Sequence, residues 1–532
     1  MSIKINSFLK NYWSLITILI IGTVLRLYHL TAISLWHDEA FSALLIKYSW
    51  GEMIHRIGLD VHPPMYYIFL RFWHYLLGDS LVSLRGFSVF FGVLTIIAAY
   101  FLVKEAFKNE KAAFLTALLL AINPFQIQYV TEARMYTMGA FFAVLAAYFL
   151  VKALRNQRQY YADKKENTPH LPKDIKLKKQ FTIYYLLFSV SVDIIILTHY
   201  YLLFTAAALC FYALVYHWHA YKDNLKRYGW LLLSFVVIGL GFLPWLKVFL
   251  FQFRQVSNSY WIPNINVWSI PNTLWQMLLA LANPSHLFMV LVTLFSLYLV
   301  YYNLRKISGV EKWLVLLNIA APFAGAILFL LLAKLRGQTT SVYLVRYFLF
   351  AATFYTIMVA LWLESLRPKK LAKIFLILLI GLNLFAFGYY WRGLDIGRRT
   401  GMAGAAKYLE TNIEPGQKLY VGSSFEFFNF KYYLSQWQNQ FAPRPLLYSG
   451  GTTEVDQLPH YAGTAILTNA DLLPNFNQEV KNSDTVWLLW TNGFGGSKPQ
   501  IPQNWTQINE KGYEDVRPYP GTWIVVTEYK VN

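Results

Sequence analysis

The sequence predicts a polytopic α-helical membrane protein of about eleven transmembrane helices. Short interfacial helices are expected in its first external loop, and a small α/β domain at the C-terminal end on the external side. Three observations lead there. Of 532 residues, 56% are apolar, 18% aromatic and only 14% charged, where a soluble chain carries about one quarter charged residues. The apolar residues fall in runs of about twenty, enough to cross a hydrocarbon core as helix. Near residue 395 the composition shifts to a soluble pattern, which divides the chain into a membrane domain, 1–394, and an external domain, 395–532.

The apolar runs lie near 12–31, 84–104, 112–128, 136–154, 182–198, 200–217, 229–250, 286–302, 312–334, 344–364 and 371–391. No small-residue cleavage site follows the first, so it reads as a retained helix. Lysine and arginine decide sidedness. They gather at Lys4 and Lys10, at Lys104, Lys108 and Lys111, over 152–179, at Lys222, Lys226 and Arg227, at Arg305, Lys306 and Lys312, and at Arg367, Lys369, Lys370 and Lys373. All six clusters are cytoplasmic only if the chain crosses once between Lys10 and Ser34 and once between Pro64 and Lys104. Met65–Leu77 is apolar but short and contains Arg71 and His74. Were it to cross, every later basic loop would invert, so it is expected to lie at the interface; 272–282 reads the same way.

This parity leaves the N-terminus cytoplasmic and the tail external, at the plasma (inner) membrane. In the tail, Lys418–Val421, 465–468, 485–489 and 522–527 read as strands, and 402–411 and 425–434 as helices, an alternation that suggests a small α/β domain. Gly493 to Gly496 opens no evident helix and reads as a loop, and the charged stretch 156–180 as a flexible cytoplasmic loop. The net charge of +19 belongs to orienting loops, which argues against a nucleic-acid partner and leaves membrane lipids as the surrounding one. Cys210 stands alone within an apolar run, so neither a disulfide framework nor a Cys-based metal site is expected.

The same parity collects polar residues on one side. Asp38 and Glu39 open the first external loop, ahead of Phe41, Leu44, Leu45 and Tyr48 at helical spacing. Asp60 and His62 follow, then Glu132, Arg134 and Tyr136, then His199 and Tyr200, Arg254, and finally Lys334, Arg336 and Arg346. Polar groups at that depth are costly unless paired or bathed in water. One acidic pair with several cations suits transfer of a sugar from a lipid phosphate to a hydroxyl. The phosphate leaves as a stable anion without a proton, one carboxylate serves as base, and arginines hold the developing charge. A hydrolytic glycosidase wants two separated carboxylates flanking the bond.

Five segments in this order also resemble a family. Trp36-His37-Asp38-Glu39, His62-Pro63-Pro64-Met65-Tyr66-Tyr67, Glu132-Ala133-Arg134-Met135-Tyr136, Thr198-His199-Tyr200-Tyr201 and Arg346-Tyr347 are similar to motifs of membrane glycosyltransferases of the GT-C class. Among these, the chain is similar to the protein O-mannosyltransferases and the lipid A aminoarabinose transferase. The resemblance spans about the first 390 residues. It implies an inverting hexosyl or pentosyl glycosyltransferase that takes a polyprenyl-phosphate sugar as donor and a hydroxyl of a protein, lipid or glycan as acceptor. Asp38 matches the family's catalytic aspartate, and Glu39 follows it as in the mannosyltransferases. In the aminoarabinose transferase an acidic residue directly precedes the position matched by His62 and helps bind a metal. Here that place is Val61, with Asp60 one residue further back.

The expected site therefore has Asp38 and Glu39 as catalytic carboxylates and Arg134, Arg346, His199 and Tyr200 around the donor phosphate. His62, Glu132 and Tyr136 would contact substrate, and Asp60 with His62 would hold a divalent metal, the one cofactor considered. Plainer readings exist for each. Asp38 and Glu39 suit the first turn of any helix, prolines suit the start of the helix after His62, Arg134 could pair with Glu132 or snorkel to headgroups, and Lys334 and Arg336 could be anchors. Asp193 lies inside an apolar run and matches no motif. The rival function is a lipid or glycan transporter or flippase, which calls for repeat symmetry and charges at mid-membrane depth; a non-catalytic assembly partner that binds through its tail is a third.

Overall fold

The computed structural model describes residues 2–165, 171–221, 224–258, 262–281, 284–337, 341–438, 443–493, 496–516 and 521–532, with side chains throughout except at 2–11, 164–165, 171–173 and 258. Two compact units are present. One comprises Met1–Tyr28 and Gly86–Tyr389, the other His29–Arg85 and Tyr390–Asn532.

The chain is a polytopic helical membrane protein. Among the described residues nine helices are long and apolar enough to cross a membrane, and the bent pair Glu110–Ile122 and Pro124–Val130 makes a tenth. Each apolar run of the sequence falls on one of these or, for the first, on the shorter apolar helix Tyr12–Leu27. The bend of 54° has a local cause. Pro124 lacks the N–H that would bond the Leu120 carbonyl, and Asn123 begins a new helix by accepting from the Gln126 N–H at 2.9 Å. Carbonyls opened inside an apolar unit need donors. Arg26, 1% exposed, supplies them, donating to Leu120 and Ala121 at 2.9 Å each.

Glycines permit close helix approaches. A Cβ at Gly22 would come within 3.1 Å of Ala121, and one at Gly139 within 2.7 Å of Leu202 and 2.9 Å of Phe350. The span Val345–Ser365 is the most enclosed, whereas Leu225–Ser257 and Lys369–Leu394 bury little of their length. The stretch 156–180 is not a loop where it is described: helices run Tyr136–Lys165 and Leu171–Ile196. Charged residues there extend the helices, and only 166–170 lie outside the described residues.

The second unit begins with three short helices, α1 (His37–Leu45), α2 (Trp50–Leu59) and α3 (Met65–Leu77). The third has the bounds expected from the sequence and leaves Phe72, Tyr75, Leu76 and Leu77 exposed, as a helix at an interface would. In the first unit, the segment expected at 272–282 is a helix over Ser269–Leu279; residue 282 lies outside the described residues.

The tail of the second unit folds as a mixed sheet. Its strands are β1 (Lys418–Val421), β2 (Pro445–Tyr448), β3 (Leu472–Leu473), β4 (Thr485–Thr491), β5 (Trp505–Asp515) and β6 (Thr522–Val531), in the order β3-β2-β1-β4-β6-β5. The first four pair in parallel, and β6 runs antiparallel to β4 and β5. Tyr420, Leu446, Leu473, Phe476, Val486, Leu488, Trp505, Tyr529 and Val531 form its core. Helices α4 (Gly401–Asn412) and α5 (Ser424–Leu434) complete it. The strand expected at 465–468 is absent. Those residues turn, with the Ile466 and Leu467 N–H groups donating to Gly463, and the ladder is taken up by β3 instead. Gly493 and Gly496 lie in a loop; Phe494 and Gly495 are outside the described residues.

Candidate active site

In the second unit, Trp36 is extended and α1 starts at His37, which puts Asp38 and Glu39 in its first turn, the favourable place for negative charge. The neighbours part company at once. Asp38 is half-buried, and its backbone carbonyl accepts from the Ser42 hydroxyl at 2.9 Å. Glu39 is fully buried, and its two oxygens accept from Arg85 Nε and Nη2 at 2.9 and 2.8 Å. Arg85 donates further to the carbonyls of Leu30 and Ile33 at 2.8 and 2.9 Å. Such a bidentate pair fixes geometry, so Glu39 ties the start of α1 to the segment before it. Arg85 was not singled out in the sequence; an arginine in the first turn of an apolar span was its signal.

Asp60 caps the end of α2, and its Oδ2 lies 2.8 Å from His62 Nδ1. Pro63 and Pro64 then lead into α3, where Tyr66 and Tyr67 are fully buried and pack edge to face at 5.3 Å. His460 belongs to the same neighbourhood. Burial pushes its imidazole below the usual range, against the opposing pull of Asp60. Among the described residues no group of three His, Cys, Asp or Glu side chains is arranged to hold a metal ion. The donor set around Asp60 and His62 thus does not fit a resident divalent ion.

In the first unit, three of the motifs meet. Glu132 and Arg134 occupy the turn between Pro124–Val130 and Tyr136–Lys165, where the Arg134 N–H donates to the Glu132 carbonyl at 2.8 Å. The Ser88 hydroxyl donates to that carbonyl at 2.6 Å. Arg134 is 2% exposed and Tyr136 1%. His199 follows the span that ends at Ile196, and its Nδ1 accepts from the Tyr201 N–H at 3.1 Å, which leaves the ring proton on Nε2. The His199 ring lies 4.6 Å from Tyr347 and 5.9 Å from Tyr136. Tyr136 and Tyr347 are 6.2 Å apart, and Tyr201 packs on Tyr347 at 5.5 Å. Arg346 sits half-buried beside Tyr347 in the turn Val345–Phe348.

Other expected residues go elsewhere. Tyr200 donates to Gln252 and accepts from Trp245 Nε1 at 2.8 Å, which ties it to the span Leu225–Ser257. Arg254, Lys334 and Arg336 are exposed. Asp193 lies over Gly241, where a Cβ would fall 2.3 Å from its carboxylate oxygen.

Comparisons with known proteins bear on the family and the fold. Residues 61–162 match the family described as dolichyl-phosphate-mannose-protein mannosyltransferase, a stretch that includes His62, Glu132, Arg134 and Tyr136. The fold is similar to that of ArnT from Cupriavidus metallidurans bound to undecaprenyl phosphate, with a TM-score of 0.58 at 12% identity over 97% of this chain and 98% of that one. The apo state of the same protein gives a TM-score of 0.60 at 12% identity, with the same coverage of both chains. The arabinofuranosyltransferase AftD from Mycobacteria reaches 0.50 at 13% identity, over 98% of this chain and 40% of that one. No curated protein matches the sequence. Residues 61–162 thus carry the pattern of the dolichyl-phosphate-mannose-protein mannosyltransferases, and nearly the whole chain has a fold similar to that of the ArnT structures.

Proposed function

We propose that the protein is an inverting glycosyltransferase that moves a sugar from a polyprenyl-phosphate carrier to a hydroxyl acceptor at the external face of the plasma membrane, with its N-terminus cytoplasmic and its C-terminal domain external. The observation that supports this most is the family match over 61–162, which holds four of the expected donor and substrate contacts, within a fold similar to a protein crystallised with undecaprenyl phosphate.

The chemistry follows from the residues. Asp38, half-buried at a helix N-terminus, removes the proton of the acceptor hydroxyl as that oxygen attacks the anomeric carbon. The bond to the lipid phosphate breaks in the same step, so the configuration inverts. The phosphate departs as an anion and needs no acid, but it needs fixed positive charge. Arg134 and Arg346 supply that charge, with Nε2–H of His199 as a neutral donor beside them and Tyr200 held nearby in the chain. Tyr136, Glu132 and His62 line the substrates. Glu39, held on both oxygens by Arg85, orients the helix that presents Asp38. Two experiments test this reading. Mass spectrometry of the Asp38→Asn protein is expected to find a co-purifying polyprenyl-linked sugar, and NMR of the product to show the opposite anomeric configuration from the donor. Retained configuration would rule out single displacement.

A further inference from the structure

Asp38 rides on a helix of nine residues, too short to keep its direction unaided in water. What holds it, within its own compact unit, comes from more than three hundred residues away in sequence. The Leu35 N–H, just ahead of α1, donates to the Tyr433 hydroxyl at 2.9 Å. The next-door Tyr432 hydroxyl donates to the Asp79 carbonyl at 3.0 Å, where the segment returns after α3, and the Asp79 carboxylate pairs with Lys47 at 2.5 Å. His37, the residue before Asp38, lies against Phe425 and Phe428 with ring centroids at 5.2 and 5.4 Å, and Phe41 meets Phe428 edge to face at 6.3 Å. Phe428 is itself fixed. It is 1% exposed and seated over Gly463, where φ is +81° and a Cβ would fall 2.2 Å from its ring. Ser34 adds a tie to the start of α4, donating to the Thr400 carbonyl at 2.8 Å and accepting from the Ala403 N–H at 3.1 Å.

We propose that α5 of the C-terminal stretch is the seat of the catalytic helix, and that Tyr433 and Phe428 are positioning residues for Asp38. The tail then acts on the rate of the chemical step. The inference rests on Asp38 being the base. A carboxylate displaced by a fraction of an ångström from the attacking hydroxyl loses rate without losing donor affinity, since misplacement by about 1 Å costs on the order of 100-fold.

The test uses the full chain in membranes that supply the acceptor, with turnover read as release of polyprenyl phosphate from the lipid-linked sugar recovered with the Asp38→Asn protein. Tyr433→Phe and Phe428→Leu are expected to lower kcat by about 10- to 100-fold per folded molecule and to leave the donor KM unchanged. The acidic limb of the kcat–pH profile is expected to move as well. A purely structural role would lower the melting temperature and the yield but leave kcat per folded molecule and its pH profile untouched, and that result overturns the proposal. Should Phe428→Leu fail to fold, Tyr433→Phe, which removes one oxygen, decides alone. The Asp38→Asn control separates the two ideas. If it turns over normally, the base assignment is wrong; if it is dead while both positioning variants match the wild type, only the seat is wrong.

Discussion

The acidic start of α1 and the ring cluster around His199 face opposite electrostatic problems. In the first, two adjacent carboxylates are separated by burial: Glu39 is fully enclosed and neutralised by Arg85, while Asp38 is half-buried. In the second, Tyr136, His199 and Tyr347 meet tilted or edge to face, with Glu132, Arg134 and Arg346 close by in sequence. Each belongs to a different compact unit. The first region answers its charge by burial and pairing, the second by packing its polar rings against one another.

The contrast is broken most severely at the buried ion pair. Glu39→Gln or Arg85→Met alone leaves a buried charge without its counter-charge and is expected to destabilise the second unit by about 3–5 kcal/mol. Thermal unfolding would show it, and changing both residues together should recover much of the loss. Next comes the phosphate side. Arg134→Ala and Arg346→Ala should each reduce kcat/KM for the lipid-linked donor by about 100- to 1,000-fold without lowering the melting temperature of the second unit. Lysine should restore only part of that, because it lacks the bidentate fork. An arginine variant that instead affected only acceptor dependence would reassign the cluster.

A smaller effect sharpens the account of the tail. Burial, with Asp515 adding to it, pushes the Glu426 carboxyl up to about 8, and Asn429 Nδ2 donates to it at 3.0 Å. Between the ordinary carboxylate range and that value the folded state holds a proton that the unfolded state has released. Stability contributed at this residue therefore falls as pH rises from about 4.5 to about 8. Melting temperatures of Glu426→Gln should lose that slope, and the variant should exceed the wild type at the alkaline end.

Much of the membrane unit was legible because lipid leaves few choices: a run of about twenty apolar residues is a helix. Its errors were of one kind. Charge over 156–180 was read as loop, yet helices extend past the bilayer into water without changing their hydrogen bonds. The break at Asn123-Pro124 lay inside one apolar run and is signalled only by that dipeptide. In the tail, β1 and β4 were found because they are buried on both faces. β5 was missed because its edge position leaves a polar, exposed row with no alternation, and β2 because prolines crowd its start. The buried Ala465-Ile466-Leu467 run imitated a strand. The rings of Tyr136, His199 and Tyr347, from three separate motifs, lie close together. The pairing of Glu39 with Arg85 was hidden, since a long-range ion pair has no local signature.

In the proposed reaction one carboxylate, Asp38, does the proton transfer. The most direct measurement follows the purified Asp38→Asn protein through a single turnover while donor binding is measured on the same sample. Donor affinity is expected to be unchanged and the transfer rate lower by about 100- to 10,000-fold; transfer at the wild-type rate in a correctly inserted protein would remove Asp38 as the base.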